Sequence, residues 1–337
     1  MPATFKLTIT MGDPAGIGPE IALKAACGRK WPRNVHFVLV GCREVWMRCA
    51  AMINMATPPE CAAISRGNLP QVCTWEPSAY CAQHDITDWH PGRTGKLCGH
   101  MALNFIRAAV SLCLKHGYKG LVTGPICKSS IQAAGYAFPG HTEYLAHLSG
   151  APRVAMMLIG GKLRVVLVTR HLPLSSVAKA ITRRAVTETV EMTGLGLHWL
   201  QAPGKIIGVC ALNPHAGDGG VLGKEEKTII APAIESLRRK GLKVSGPVPA
   251  DVIFHQAMRG RFGAVVAMYH DQGLGPLKMI AFESGVNLTL GLPFVRTSPD
   301  HGTAFDIAGR GIASPSSMIE AIRIAIRLAG RPNPWQG

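Results

Sequence analysis

Three short apolar runs, LRVVLVT, KIIGVCAL and AVVAM, each end two or three residues before a histidine: His171, His215 and His270. Short apolar runs bounded by turn residues are typical of strands that are buried on both faces of a parallel sheet. Ligands of open α/β sheets gather outside the carboxyl ends of the strands. Three imidazoles with a further open position are the ligand pattern of a catalytic divalent-metal site. The pattern therefore predicts a metal site, although a single histidine after a strand is more often a hydrogen-bonded surface or core group.

Length and charge restrict the classes of protein to consider. The chain has 337 residues, of which 47% are hydrophobic, so we expect two α/β domains or one large α/β unit. Its 36 basic and 20 acidic side chains give a formal charge of +16. The basic residues are scattered and are not interleaved with aromatic residues, which favours a solvated surface and small anionic substrates over nucleic acid. A non-catalytic anion- or nucleic-acid-binding protein remains the alternative, and it would bind nucleic acid in a salt-sensitive way.

The ten cysteines never form a Cys-x-x-Cys pair, which argues against a zinc ribbon. No basic, apolar leader opens the chain, and no uninterrupted apolar run approaches ~18 residues. We therefore expect a cytoplasmic protein with free thiols and no membrane association.

Strand and helix patterns alternate along the chain with short glycine or proline punctuation, which predicts an α/β protein built from βα units. Residues 5–10 read as a strand, MGDPAGIG as a loop, and the helix after it begins near Pro19. The loop either presents free helix amides to an anion or is only a tight turn. GLVTGPICK suits a domain hinge, and Thr142 either caps a helix or binds an anion. Ser317 and Glu320 have the spacing of a capping box at the last helix.

Ordered motifs extend through nearly the whole chain and are together very specific. They are TMGDPAGIGPEI, TGPICK, GHTEYLA, the histidine after VVLVTR, LNPHAGDGG with Gly223, Glu225 and Glu226, PADVIF, YHDQG and GVNLTLGLPFVRTSPDHGTAFDIAGRG. On these motifs the chain resembles the 4-hydroxythreonine-4-phosphate dehydrogenase family of vitamin B6 synthesis, which includes sugar-acid-phosphate relatives.

The resemblance implies an α/β, isopropylmalate-dehydrogenase-like two-domain fold with an active-site cleft between the domains. On this basis residues 1–130 and 286–337, the two chain ends, form the first domain. Residues 131–285 form the second, which carries the metal histidines and the dimer contacts. The family is homodimeric, and the partner subunit completes each site.

The resemblance also assigns the metal ligands to His171, His215 and His270, the same three residues that the strand pattern indicates. Asp251 and Asp271 match family acids near the metal. Their roles are open: each carboxylate either orients a ligand or transfers a proton in catalysis.

The implied substrate contacts suit a phosphorylated hydroxy acid, because lysine supplies a compact charge and arginine a planar fork of donors for oxyanions. Lys278 is the first candidate to neutralise the anionic end of the substrate or to assist proton transfer. The substrate contacts that the family implies are His141, Thr142, Lys278, Asn287 and Arg296.

The block HGTAFDIAGRGIASP resembles the adenosine-binding loop of the isopropylmalate-dehydrogenase-like class. Gly302 and Ala304 leave room for a ligand to approach the backbone, and Thr303 lies between them. Asp306 either accepts hydrogen bonds from the adenosine ribose or caps a neighbouring helix. A carboxylate near the 2′ position disfavours the additional phosphate of NADP, so NAD is the expected cofactor and NADP the alternative.

These parts together imply a reaction. A divalent metal lowers the pKa of the substrate hydroxyl, hydride passes to the nicotinamide, and the 3-keto product loses carbon dioxide. Zinc is the expected metal, with magnesium, manganese or cobalt as alternatives. The expected substrate is 4-phosphohydroxy-L-threonine, and the alternative is D-threonate or D-erythronate 4-phosphate.

Overall fold

A computed structural model shows two compact units, the first formed by Met1–Arg153 and Leu292–Gly337 and the second by Val154–Gly291. The residues that the structure describes are 4–61, 64, 69–77, 86, 89–138, 140–202 and 204–336.

The first unit is built on a sheet with the strand order β3-β2-β1-β4-β11, in which all neighbours are parallel. Its strands are almost completely buried, as expected when helices cover both faces of a parallel sheet. Its elements are β1 (Phe5–Thr10), α1 (Gly18–Cys27), β2 (Val35–Val40), α2 (Arg43–Met52), β3 (Val72–Trp75), α3 (Lys96–Lys115), β4 (Gly120–Thr123), α4 (Lys128–Ala133), α5 (His141–Ser149), β11 (Val295–Pro299) and α11 (Ser316–Ala329).

The second unit has the strand order β10-β5-β6-β9-β7-β8. β6, β9, β7 and β8 are parallel, whereas β5 pairs antiparallel with both β10 and β6. Its elements are β5 (Ala155–Gly160), β6 (Leu163–Leu167), α6 (Leu174–Ala180), α7 (Arg183–Trp199), β7 (Ile207–Cys210), a 3-10 segment (Pro214–Gly220), a π-helical turn (Glu226–Ile230), α8 (Ala231–Arg239), β8 (Val244–Val248), α9 (Ala250–Met258), β9 (Ala264–Ala267), α10 (His270–Ala281) and β10 (Val286–Leu290).

The α/β class is confirmed, but the unit boundaries differ from those that the sequence predicts. Residues 131–153 belong to the first unit and residues 286–291 to the second. α4 and α5 pack against α3 in the first unit, and Gly99 allows the close approach because a Cβ there would lie 2.0 Å from the carbonyl oxygen of Ser130. GLVTGPICK is therefore not the point at which the chain leaves the first unit.

Two predicted helix caps are wrong. Thr142 lies inside the first turn of α5, and the residue at the N-cap position is Gly140, which has no side chain to cap the helix. Ser317 also lies inside its helix, and its hydroxyl accepts a hydrogen bond from the backbone N–H of Asp300 at 3.2 Å. A capping pattern in sequence does not decide where a helix begins when the preceding chain is held by tertiary contacts.

The cysteines also depart from expectation, because Cys61 and Cys73 form a disulfide with their Cα atoms 5.9 Å apart. The prediction of free thiols throughout is wrong for this pair. Seven further described cysteines are not disulfide-bonded, and Cys81 lies outside the described residues.

α3 is the single described helix that is long and apolar enough by composition to cross a membrane. α3 contains no uninterrupted apolar run that approaches ~18 residues. Of its most apolar 18-residue stretch, 61% is buried inside the protein, which is the pattern of a core helix.

Candidate functional site

The three predicted histidine ligands follow three neighbouring strands of the second unit. β6, β9 and β7 are adjacent and parallel, so their carboxyl ends lie side by side at one edge of the sheet. His171, His270 and His215 follow these ends in that order. β8 is the next strand along, and α9, whose first turn contains Asp251, follows it. Parallel neighbours are about 4.8 Å apart, so the topology places all four residues along one short edge.

His171 and His270 are brought together, with their ring centroids 5.7 Å apart. Thr169 connects the two strand ends, because its backbone N–H (3.1 Å) and its hydroxyl (2.7 Å) both donate to the carbonyl of Met268. These bonds continue the pairing of β6 with β9 up to the two histidines.

The carboxylate of Asp271 contacts the ring of His270. Its Oδ1 lies 2.7 Å from Nδ1 of His270, and its side chain is 90% exposed. A carboxylate at Nδ1 favours the tautomer with the proton on that nitrogen and leaves the Nε2 lone pair for a ligand. The contact supports the orienting role of Asp271.

His215 lies in an unusual stretch of backbone. Five successive residues from His215 to Gly219 have φ between 42° and 80°, and Ala216 and Asp218 are among them. A non-glycine residue in this left-handed conformation costs about 1–2 kcal/mol. Such a stretch persists only when surrounding contacts impose it.

Among the described residues, no three His, Cys, Asp or Glu side chains are grouped closely enough to hold a metal ion. The structure thus brings together two of the three predicted ligands and places His215 after the adjacent strand. The complete three-histidine site stays a prediction.

Lys278 and Asn287 belong to neighbouring elements of the same unit. Lys278 is on α10, eight residues after His270, and its Nζ lies 5.5 Å from the ring centroid of Phe282. Asn287 is on β10 opposite Leu158, and its buried Oδ1 has no hydrogen-bond partner among the described residues. An amide oxygen buried in this way is available to a ligand that carries a donor.

In the first unit, Arg296 is buried and acts electrostatically on the partly buried ring of His141. Arg296 is 1% exposed, and its Nη2 donates to the hydroxyl of Thr123 at 2.6 Å. Burial lowers the pKa of Arg296 to about 9, and the charge of Glu143 opposes that change. Burial and, secondarily, the charge of Arg296 hold the pKa of His141 well below its ordinary value. At neutral pH the pair therefore combines one guanidinium charge with a neutral imidazole.

Nε2 of His141 is a second polar group that a ligand could bind. This nitrogen is buried without a hydrogen-bond partner among the described residues, while the ring bonds to the backbone of Gly124. Thr142 is the next residue and is also buried. A buried cation beside a polar atom that lacks a hydrogen-bond partner is suited to recognise an oxyanion.

The predicted cofactor block packs against the glycine-rich loop after β1. The backbone N–H of Ile17 donates to the carbonyl of Thr303 at 2.9 Å, and a Cβ at Gly16 would lie 2.9 Å from Thr303. Ala304 has a φ of 42°, and a side chain at Gly302 would extend into open space. Asp306 is exposed.

The helix-cap alternative for Asp306 finds no support in the described residues. Among the described helices, α7 alone has a side-chain cap, which Thr182 provides. The ribose alternative stays a prediction.

Sequence reasoning assigned no role to the residues that support these loops. Glu20 and Lys24 hold the far end of the cofactor block: Glu20 accepts from the N–H of Ala313 at 2.8 Å, and Lys24 donates to the carbonyls of Gly311 and Ala313. In the second unit, Glu226 supports the chain before His215, because its carboxylate accepts from the backbone N–H groups of Leu212 and Asn213. Acidic residues inside glycine-rich motifs were the available signal, but their bonding partners are distant in sequence.

Comparison with known proteins adds to this geometry. Residues 33–325 match the family described as pyridoxal phosphate biosynthetic protein PdxA. The chain belongs to this family.

Curated relatives and a solved structure agree with the family. A 4-hydroxythreonine-4-phosphate dehydrogenase of Caulobacter vibrioides is 43% identical, over 96% of this chain and 98% of the relative. A D-threonate 4-phosphate dehydrogenase of Cupriavidus necator is 41% identical, over 96% of this chain and 97% of the relative. The crystal structure of 4-hydroxythreonine-4-phosphate dehydrogenase from Klebsiella pneumoniae matches with a TM-score of 0.83 and 38% identity, covering 98% of this chain and 99% of that one.

Membership of the PdxA family makes the chain a dehydrogenase, and hence an oxidoreductase. The alternative of a non-catalytic anion- or nucleic-acid-binding protein is thereby set aside.

Proposed function

We propose that this PdxA-family chain is a divalent-metal-dependent, NAD-linked dehydrogenase that oxidises the secondary hydroxyl of 4-phosphohydroxy-L-threonine. Decarboxylation of the 3-keto product completes the reaction. The observation that carries the proposal is the set of three adjacent parallel strand ends, each followed by a histidine.

Three imidazole donors suit a divalent metal ion, and the spacing of two of them supports this assignment. A tetrahedral metal with nitrogen bonds of ~2.1 Å holds two imidazole centroids roughly 5 Å apart, close to the 5.7 Å between His171 and His270. The tautomer that Asp271 favours leaves Nε2 of His270 free to bind. His171, His270 and His215 would hold the ion, and three imidazoles favour zinc, with magnesium, manganese or cobalt as alternatives. A bound divalent ion stabilises the negative charge that develops on the substrate oxygen.

The charges of the chain suit the two ends of the substrate. Arg296 presents a planar fork of donors beside the neutral ring of His141, and we assign them to the phosphate. Lys278 neutralises the carboxylate or assists proton transfer, and the buried Oδ1 of Asn287 accepts a hydrogen bond from the substrate. Asp251 is the further candidate for proton transfer, since Asp271 is engaged with His270.

The remaining parts of the proposal concern the cofactor and the assembly. Gly302, Thr303, Ala304 and Asp306 bind NAD, with NADP as the poorer cofactor because Asp306 repels a 2′-phosphate. The enzyme acts in the cytoplasm as a homodimer in which the partner subunit completes each site.

Metal stripping and histidine replacement test the proposal. Turnover should vanish after chelation and return with Zn²⁺, and His171→Ala, His215→Ala and His270→Ala should each lower it by orders of magnitude with the fold intact. His198→Ala is the matched control, because His198 is an exposed histidine on α7. Full activity of the metal-free His215→Ala enzyme contradicts the proposal.

A second candidate substrate is D-threonate or D-erythronate 4-phosphate. The observation that favours it is the 41% identity to the Cupriavidus necator relative, nearly equal to the 43% shared with the Caulobacter vibrioides relative. NAD reduction measured with 4-phosphohydroxy-L-threonine, D-threonate 4-phosphate and D-erythronate 4-phosphate distinguishes the candidates. The highest kcat/KM identifies the substrate.

A further inference from the structure

The carboxylate of Glu226 anchors the chain where β7 ends, just before His215. Glu226 is 5% exposed. Its Oε1 accepts the backbone N–H groups of Leu212 (2.8 Å) and Asn213 (2.7 Å), and its Oε2 accepts Nδ2 of Asn213 (2.9 Å). Three donors thus meet one buried carboxylate, and the last of them belongs to the residue two positions before His215.

The same carboxylate contacts the middle of the left-handed turn. Gly217 is buried in the 3-10 segment, and a Cβ there would lie 2.7 Å from Oε2 of Glu226. Glu226 therefore touches the turn on both sides of His215. This contact supplies a reason why His215 adopts a φ of 51°, a conformation that an isolated chain disfavours.

Gln272 connects this anchored strand end to the one that carries His270. Its Nε2 donates to the carbonyl of Ala211 at 2.7 Å, and its Oε1 accepts from the backbone N–H of Met268 at 2.7 Å. Gln272 is 8% exposed. Because the side chain bridges the ends of β7 and β9, the anchored turn has a defined position relative to His270.

We infer that Glu226 is a positioning residue that sets His215 in place as the third metal ligand. The inference rests on the proposed function, because it presupposes that His215 binds the metal. The chemistry requires a carboxylate: three N–H donors face its two oxygens, and a glutamine would turn its own NH2 group toward one of these donors. The bonds that hold the turn would then be incomplete.

The test compares Glu226→Gln with the matched control Glu225→Gln. Glu225 is the adjacent residue, and its Oε2 accepts from the same Nδ2 of Asn213 at 2.8 Å. Calorimetric titration of the metal-free proteins with Zn²⁺ should show a roughly 10–100-fold weaker affinity for Glu226→Gln, and a change of less than about threefold for Glu225→Gln.

Two further readouts separate positioning from general stability. The visible spectrum of the Co²⁺-loaded protein reports the coordination of the metal, and it should change in Glu226→Gln but not in Glu225→Gln. Hydrogen exchange of residues 211–223 in the metal-free protein should accelerate in Glu226→Gln. Glu226→Asp replaces Glu226→Gln if the latter does not fold, because it keeps the charge and withdraws the oxygens by one methylene.

The outcomes distinguish two failures. A folded Glu226 variant that binds Zn²⁺ as tightly as the parent, with an unchanged Co²⁺ spectrum, overturns the inference and leaves the proposed function standing. A parent enzyme that binds no divalent metal and turns over without one refutes the proposed metal role, and the inference fails with it.

Discussion

Replacing Arg296 by methionine is expected to make the substrate-free protein more stable while it weakens the binding of a phosphorylated substrate. Arg296 is 1% exposed, and burial lowers its pKa from the ordinary 12.5 to about 9. At roughly 1.36 kcal/mol per pH unit, this lowering corresponds to about 5 kcal/mol against the charged form. The protein retains a charge that its own interior disfavours, as expected of a group that binds an anionic ligand.

Several losses offset the gain in the variant. The bond from Nη2 to the hydroxyl of Thr123, 2.6 Å long, contributes about 1.5–3 kcal/mol as a charged hydrogen bond. Methionine also fills less volume than arginine. We expect a net stabilisation of about 1–3 kcal/mol, in the range seen when a buried ionic group is replaced by a hydrophobic one.

Urea unfolding of the substrate-free protein measures the first effect, and KM measures the second. KM for the phosphorylated substrate should rise about ten- to a hundredfold, because one charged hydrogen bond is lost, whereas KM for NAD should hardly change. Thr123→Val is the control, since it removes the bonding partner and retains the charge. A destabilised Arg296→Met enzyme that binds the phosphorylated substrate normally would show that Arg296 serves only the core.

Three further predictions concern pH, backbone conformation and the cofactor. Because the pKa of His141 lies well below its ordinary 6.5, the unfolded chain takes up this proton first. The free energy of unfolding should therefore fall as pH drops through about 6.5. Measured between about pH 8 and 5, this fall should be shallower in His141→Gln than in the parent protein. Ala216→Gly should stabilise the protein by about 0.5–1 kcal/mol because the backbone of Ala216 is left-handed. The control Ala178→Gly in α6 should destabilise it by about 1 kcal/mol. If urea unfolding shows that both variants lose the same free energy of unfolding, the left-handed turn is contradicted. Turnover with NAD should exceed turnover with NADP, and Asp306→Asn should lower the ratio of the two turnover rates. An unchanged ratio would show that Asp306 does not select the cofactor.

Local sequence patterns were sufficient to predict the strands and the residues that follow them. β1 was predicted at 5–10 and is found there, and the apolar runs before the three histidines are β6, β7 and β9. These features depend on local burial, which a short apolar run between turn residues reports directly. The placement of His171, His215 and His270 after strands followed from the same local pattern.

Which strand ends are neighbours depends on long-range packing. β9 lies between β6 and β7 in the sheet, although it follows both in the chain, so the ring of His171 lies beside the ring of His270. The unit boundaries, the disulfide between Cys61 and Cys73, and the buried bonds of Glu226 likewise join residues that are distant or unremarkable in sequence. Local patterns report whether a segment is buried, but the partner of a buried charge or a strand edge is set by long-range packing, which no short window of sequence contains.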